Sequence, residues 1–128
     1  MPHYFTVAEA NALLPVLRPH VRRLIRAWQR LAAMQEEVVA LLGRKPRVDL
    51  GGGVLSAAAA DIVAAQNAIV AIQANGAELK DPSIGLLDFL ALRDGVAVYL
   101  CWRYDEPRIG FWHPIESGYA GRQPLDEA

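Results

Sequence analysis

The chain has 128 residues, 53% of them apolar, and a formal net charge of −1. That length suits one domain with one hydrophobic core, and the apolar share excludes a mostly disordered chain. A single cysteine, Cys101, excludes an internal disulfide and with it the disulfide-stapled secreted modules. The charge is unevenly spread. Residues 1–50 hold eight basic and four acidic side chains, a local net of +4, whereas residues 78–128 hold five and nine, a net of −4. Bulk electrostatics therefore give no footing for nucleic acid.

The opening Met1-Pro2-His3-Tyr4-Phe5-Thr6 lacks the basic-then-apolar pattern of a secretory signal, so a cytoplasmic location is expected. Thr6-Val7-Ala8-Glu9 is a capping box and predicts a helix from Val7. Pro15 and Pro19 each remove a helical hydrogen bond, which predicts a short first helix and a kink near Pro15. A long helix then continues to about Leu42, with Gly43 as its stop. Its apolar seam is Leu17, Val21, Leu24, Trp28, Leu31, Val38 and Leu42, in alternating three-four steps like a coiled coil.

Arg44 to Gly53 reads as a loop. Its three consecutive glycines lack the lysine and hydroxyl residue of a phosphate-binding loop. A second helix is predicted from Val54 to Asn75, with its seam at Leu55, Ala58, Ile62, Ala65, Ile69 and Ile72 and Gly76 as its stop. The stretch Val54 to Ala77 is long enough to cross a membrane. Asp61, Gln66, Asn67, Gln73 and Asn75 make hydrocarbon costly for it, so no membrane association is expected. Two seams joined by one loop predict an antiparallel helical hairpin over about residues 7–75. The second helix is apolar on several faces, which predicts a homodimer formed through the apolar helices, with a protein partner as a further option.

The period then changes to that of strands. Leu86–Leu92, Val96–Arg103 and Arg108–His113 predict a small three-stranded antiparallel sheet over about residues 86–113. Asp94-Gly95 marks the first turn and Tyr104-Asp105-Glu106-Pro107 the second. Residues 114–128 read as an irregular tail. The expected fold class is α+β, in one domain.

Several separate segments carry a resemblance. They are Tyr4-Phe5-Thr6-Val7-Ala8-Glu9-Ala10-Asn11-Ala12-Leu13-Leu14-Pro15, Glu78-Leu79-Lys80-Asp81, Gly85-Leu86-Leu87-Asp88-Phe89, Leu100-Cys101-Trp102-Arg103, Trp112-His113, and Gly118 through Gly121-Arg122. Together they resemble the bacterial domain-of-unknown-function family 2203 over nearly the whole chain. The resemblance implies a small bacterial protein and carries no activity. Two departures are visible: Leu90 follows Asp88-Phe89 where the family often has proline, and the second helix is unusually rich in alanine.

Reactive side chains concentrate from Glu78 onward. A sheet face that gathered Cys101, His113 and a carboxylate would ligate zinc or iron, or form a thiolate–imidazole pair. Hairpin register decides this. An even-length second turn sets Arg103 opposite Arg108 and sends Cys101 and His113 to opposite faces. It also lines Val96, Val98, Leu100, Trp102, Ile109 and Phe111 along one core face. A three-residue loop or a bulge would instead align Tyr99, Cys101, Arg103 and His113. The hydrophobic pattern favours the even turn, leaving Cys101 a small strand residue and His113 a hydrogen-bonded one.

Two further groups stand out. Glu78, Lys80 and Asp81 at the helix-to-sheet corner, with Glu106 nearby and Arg103 or Arg122 as an anion clamp, would orient a ligand; ion pairs that fix the turn are the plainer alternative. Arg18, Arg22, Arg26 and Arg30 recur every fourth residue and would hold phosphates or an acidic partner, against the plainer alternative of a solvated face. No complete catalytic set emerges and no cofactor is indicated. Two functions follow as expectations: a non-enzymatic oligomeric accessory module, or a metal- or small-ligand-binding protein with its site on the sheet.

Overall fold

The computed structural model describes residues 3–44 and 51–125, and the side chains of residues 3–36 and 56–125. Two helices come first: α1, Val7–Arg44, and α2, Gly51–Ala74, which pack along each other. An antiparallel sheet follows, with β1 at Glu78–Asp81, β2 at Leu86–Arg93, β3 at Val96–Arg103, β4 at Phe111–Pro114 and β5 at Gln123–Pro124, in that spatial order. A 3-10 turn, Tyr119–Gly121, joins β4 to β5. The α+β class and the helical hairpin stand, with five strands in place of three.

The capping box forms as drawn. The Thr6 amide donates to Glu9 Oε1 at 2.8 Å, and the Glu9 amide to Thr6 Oγ1 at 3.0 Å. Helix α1 then runs through both prolines, so the expected break into a short and a long helix is not there. Pro15 and Pro19 lie on the exposed side. Water can serve the carbonyls they leave unpaired, which removes much of the cost. The helix passes Gly43 by one residue. The expected loop falls largely on residues 45–50, outside the described residues, while Gly51–Gly53 already belong to α2. Gly76 does stop α2, at φ 91°, with Asn75 Nδ2 donating to the Ala71 carbonyl at 2.8 Å.

The buried seam of α1 is Ala10, Leu14, Leu17, Val21, Leu24 and Ala27. Trp28 turns out to solvent instead, and Val38 and Leu42 lie outside the described side chains. On α2 the seam is shifted from the expected one. Asp61, Ala65, Ala68 and Ile72 are buried, whereas Ile62 is exposed. Small alanines bring the helices close, and Arg30 reaches Asp61 at 2.8 Å, which offsets the cost of burying that carboxylate.

Side chains alternate across the sheet. Leu87, Phe89, Ala91, Val98, Leu100 and Trp102 face the helices and complete the core. Asp94 and Gly95 both take left-handed backbone, φ 52° and 79°, the geometry of the Asp-Gly hairpin turn. The N-terminal segment ties in on β2 just beyond the start of β1, where the Phe5 amide donates to the Leu90 carbonyl at 2.7 Å.

The register of β3 with β4 differs from the favoured expectation. Tyr99 pairs with His113 and Cys101 with Phe111, one residue away from the even turn. Residues 108–110 are not strand. The Ile109 amide donates to Asn11 Oδ1 at 2.8 Å, so Ile109 is buried from the loop, not from the sheet. Arg18 lies over the Trp102 ring at 5.1 Å and donates to the carbonyls of Tyr104, Glu106 and Pro107. Helix α1 therefore draws residues 104–110 into a wide loop. The one-residue shift moves Phe111 and His113 to the outer face, and Val96 is exposed at the hairpin end.

Candidate metal site

The outer face of the sheet carries the alternate residues of the same strands. Glu78, Asp88 and Cys101 lie side by side across β1, β2 and β3, and Tyr99 and His113 across β3 and β4. Asp88, Cys101 and His113 are all buried, and one ligand atom from each lies within 4.8 Å of the other two. The Asp88 and His113 side chains are only 3% and 2% exposed. The alignment of Cys101 with His113 that the even turn would have prevented is thus present.

His113 is held by both ring nitrogens. Nδ1 lies 2.8 Å from the Pro114 carbonyl oxygen, which can only accept, so Nδ1 carries a proton and donates. Nε2 is 2.9 Å from Asp88 Oδ2. In the neutral ring Nε2 presents a lone pair to an acceptor-only carboxylate, unless a proton or a cation stands between them. A backbone carbonyl fixing Nδ1–H while Nε2 points at further ligands is the usual support of a metal-bound histidine. The other Asp88 oxygen, Oδ1, is buried with no hydrogen-bond partner among the described residues. Burial pushes the Asp88 carboxyl above the usual carboxylate range, against the pull of His113 and of the Cys101 thiol beside it.

Cys101 is fully buried, and burial pushes its thiol up to about 11. The thiol is therefore protonated near neutrality, and His113 gives its Nε2 to Asp88 instead of to sulfur. A thiolate–imidazole nucleophile does not fit this arrangement. Arg122 closes the sulfur side. Its Nε donates to Cys101 Sγ at 3.3 Å and its Nη2 to Glu106 Oε1 at 2.5 Å, with the guanidinium 4.1 Å from the Phe111 ring centre. Burial works against the charge of Arg122, but Glu106 and Cys101 outweigh it and raise its pKa further.

A cleft of about 340 Å³ opens on the other side of the cluster, lined among others by Lys80, Asp88, His113, Ile115 and Tyr119. Lys80 is the extra residue where β1 slips against β2, since Leu79 pairs with Leu87 and Asp81 with Leu86. Its ammonium is 3.1 Å from Glu78 Oε1 and 4.8 Å from the Tyr99 ring centre. The Tyr99 hydroxyl also donates to Glu78, at 3.0 Å. Burial opposes the Lys80 charge, yet Glu78 prevails and raises its pKa.

The other sequence candidates divide between roles. Asp81 Oδ1 accepts from the Ser83 amide and hydroxyl at 2.9 and 2.6 Å and shapes the turn before β2. Arg103 pairs with Asp105 at 2.5 Å and donates to the Tyr119 hydroxyl. Arg103, Glu106 and Arg122 thus gather on the sulfur side and fasten the C-terminal segment, apart from the Glu78–Asp81 corner. In the arginine row, Arg18 holds the β3–β4 loop, Arg22 donates to the Tyr104 hydroxyl at 3.0 Å, Arg30 pairs with Asp61, and Arg26 is exposed. The carboxylate that the sequence left unassigned beside Cys101 and His113 is Asp88. Its signal is a charge inside the apolar run Leu86-Leu87-Asp88-Phe89-Leu90.

Fold and cluster together define a small α+β protein whose helix-backed sheet buries an acid, a thiol and an imidazole on its far side. The chain belongs to the family of uncharacterized conserved proteins DUF2203, whose sequence profile matches residues 3–125. No curated protein and no solved structure matches it.

Proposed function

We propose that the chain is a metal-binding protein that holds one zinc-class dication between Asp88, Cys101 and His113. The observation that carries this reading is the convergence of three buried ligating side chains, with ligand atoms all within 4.8 Å of one another, around a carboxylate whose Oδ1 makes no hydrogen bond of normal length among the described residues and which has only the weak Cys101 thiol and His113 beside it as donors. Leaving such a group unpaired costs about 1–3 kcal/mol or more, and a cation removes that cost. One nitrogen, one oxygen and one sulfur donor suit zinc, whose tetrahedral bonds set ligand atoms roughly 3.3–3.7 Å apart. Charge closes as well. A dication balances the Asp88 carboxylate and a Cys101 thiolate, while Arg122–Glu106 and Lys80–Glu78 are already paired. Metal analysis of protein purified without added metal tests this. The expected result is one equivalent of zinc-class metal, with affinity lowered at least ~10-fold in Cys101→Ala. Metal-free protein that gains no thermal stability from added zinc would overturn it.

The outer side of the helical hairpin supports a second, compatible reading, an assembly role. Helix α2 leaves Ile62, Val63 and Val70 at 46%, 53% and 65% exposure. Its one described charge, Asp61, is already taken by Arg30. We propose that a second copy of the chain covers this face, since two uncharged faces meet without repulsion and Gln66, Asn67 and Gln73 suit a protein surface better than hydrocarbon. Sedimentation at micromolar concentration is expected to show a dimer that Val63→Glu dissociates. A monomeric wild-type protein would reject it.

A further inference from the structure

The three candidate ligands do not enclose a metal, and the direction they leave open is defined. Cys101 is sealed by Arg122, whose guanidinium spans the sulfur, the Cys101 carbonyl and Glu106. Asp88 and His113 instead form part of the wall of the 340 Å³ cleft. A tetrahedral ion held by three protein ligands has one further position, and a closed structural site fills it with a fourth side chain. Among the described residues no fourth histidine, cysteine or acid joins the cluster. The fourth position of an ion held there would face the cleft that Asp88 and His113 line.

The cleft has its own chemistry. Lys80 provides one cation, placed there by the slip in β1. Its ammonium has three donors, of which Glu78 takes one. Leu86 and Ile115 add apolar wall, and the Tyr119 side chain is anchored by Arg103. Asp81 also lines the cleft, so a multiply charged phosphate is poorly matched to a single lysine beside an acid. A singly charged organic acid fits: one oxygen on the metal, the other toward Lys80, and the carbon skeleton against Leu86 and Ile115.

Building on the metal reading, we infer that Asp88, Cys101 and His113 form an open site whose exchangeable position takes the carboxylate of a small monoanionic organic acid, with Lys80 as its charge partner. The site thus belongs to the ligand-exchanging class of metal centres, not the closed structural class.

The test uses the full-length protein loaded with Co²⁺, whose ligand-field bands report coordination and whose thiolate charge-transfer band reports Cys101. The expected result is a thiolate band on loading and a saturable change in the ligand-field bands on adding acetate or benzoate. Lys80→Met should keep the thiolate band and weaken carboxylate binding about tenfold, the loss of one charge-assisted hydrogen bond. A thiolate band with ligand-field bands indifferent to acetate, benzoate and phosphate would overturn the open site and leave the metal reading intact. A response to phosphate but not to carboxylates would overturn the ligand class. Absence of the thiolate band would overturn the metal reading and this inference with it.

Discussion

The two faces of one sheet have opposite characters, although alternate residues of the same strands build both. Toward the helices, Leu87, Phe89, Val98, Leu100 and Trp102 pack into an apolar core. On the far face, Asp88, Cys101 and His113 are buried just as deeply, beneath the C-terminal segment that Arg122 and Tyr119 fasten down. Apolar burial lowers the free energy wherever shape allows it, so the first face explains itself as stability. Burial of an acid and an imidazole works against folding unless something compensates it, and for Asp88 the described residues offer His113 and the weak Cys101 donor, with no hydrogen bond of normal length at Oδ1. Depth of burial alone does not separate a core from a site; the chemistry of what is buried does.

Unfolding and metal-binding measurements distinguish the two faces. The largest effect belongs to the helix-facing side. Trp102→Ala is expected to cost about 3–5 kcal/mol in urea unfolding without changing metal stoichiometry. A variant that unfolds like the wild type would dissolve the distinction between the faces. Next comes the metal. Zinc at 100 times its Kd is expected to add about 2.7 kcal/mol in a thermal scan, an increment absent in Asp88→Asn and His113→Ala. Metal-free Asp88→Asn should unfold at or above the wild-type midpoint, because its amide can donate to His113 Nε2 and no desolvated carboxylate remains. A sharp loss there would make Asp88 a fold residue instead.

Smaller effects lie at the margins of the two faces. The Arg122 and Glu106 side chains are each 12% exposed, and Arg122→Ala strands Glu106 and uncovers Cys101. About 2 kcal/mol should be lost in equilibrium unfolding, together with faster alkylation of the native thiol. On the helix side, Thr6→Ala is expected to cost about 1 kcal/mol. The partner carboxyl of Glu9 is held below its ordinary value of 4.5, chiefly by the Thr6 amide. Its contribution is present in full above that value and fades as the pH falls through the lowered folded value. Thermal scans of wild type and Glu9→Gln should therefore converge on acidification and differ near neutrality.

Local signals were legible in the sequence because local chemistry decides them. The Thr6–Glu9 box, the Gly76 stop and the Asp94-Gly95 turn each depend on a few consecutive residues. The five-stranded sheet was only partly legible, since β1 and β5 are four and two residues long and take their pairing from neighbours. Register was not legible. Ile109 looked like a strand residue because it is apolar and buried, yet it is buried by a hydrogen bond to Asn11, 98 positions away. Counting it into the strand flipped His113 to the wrong face. Cys101 and His113 were singled out as candidates by residue type. Asp88 counts among the reactive side chains from Glu78 onward, but no spacing argument makes it the carboxylate beside Cys101 and His113, and the Lys80 bulge has no sequence mark.

Helix α1 holds the loop before β4 through Asn11 and Arg18. Strand register is a counted quantity: it changes by whole residues, and each step exchanges inside for outside. Asn11 and Arg18 hold the loop in the register that sets His113 on the outer face, and a register one residue away would set it on the core face. Loosening that hold would not blur the cluster by fractions of an ångström. It would move the imidazole from one face of the sheet to the other, so a helix on one side of the sheet bears on which side chains meet on the far side.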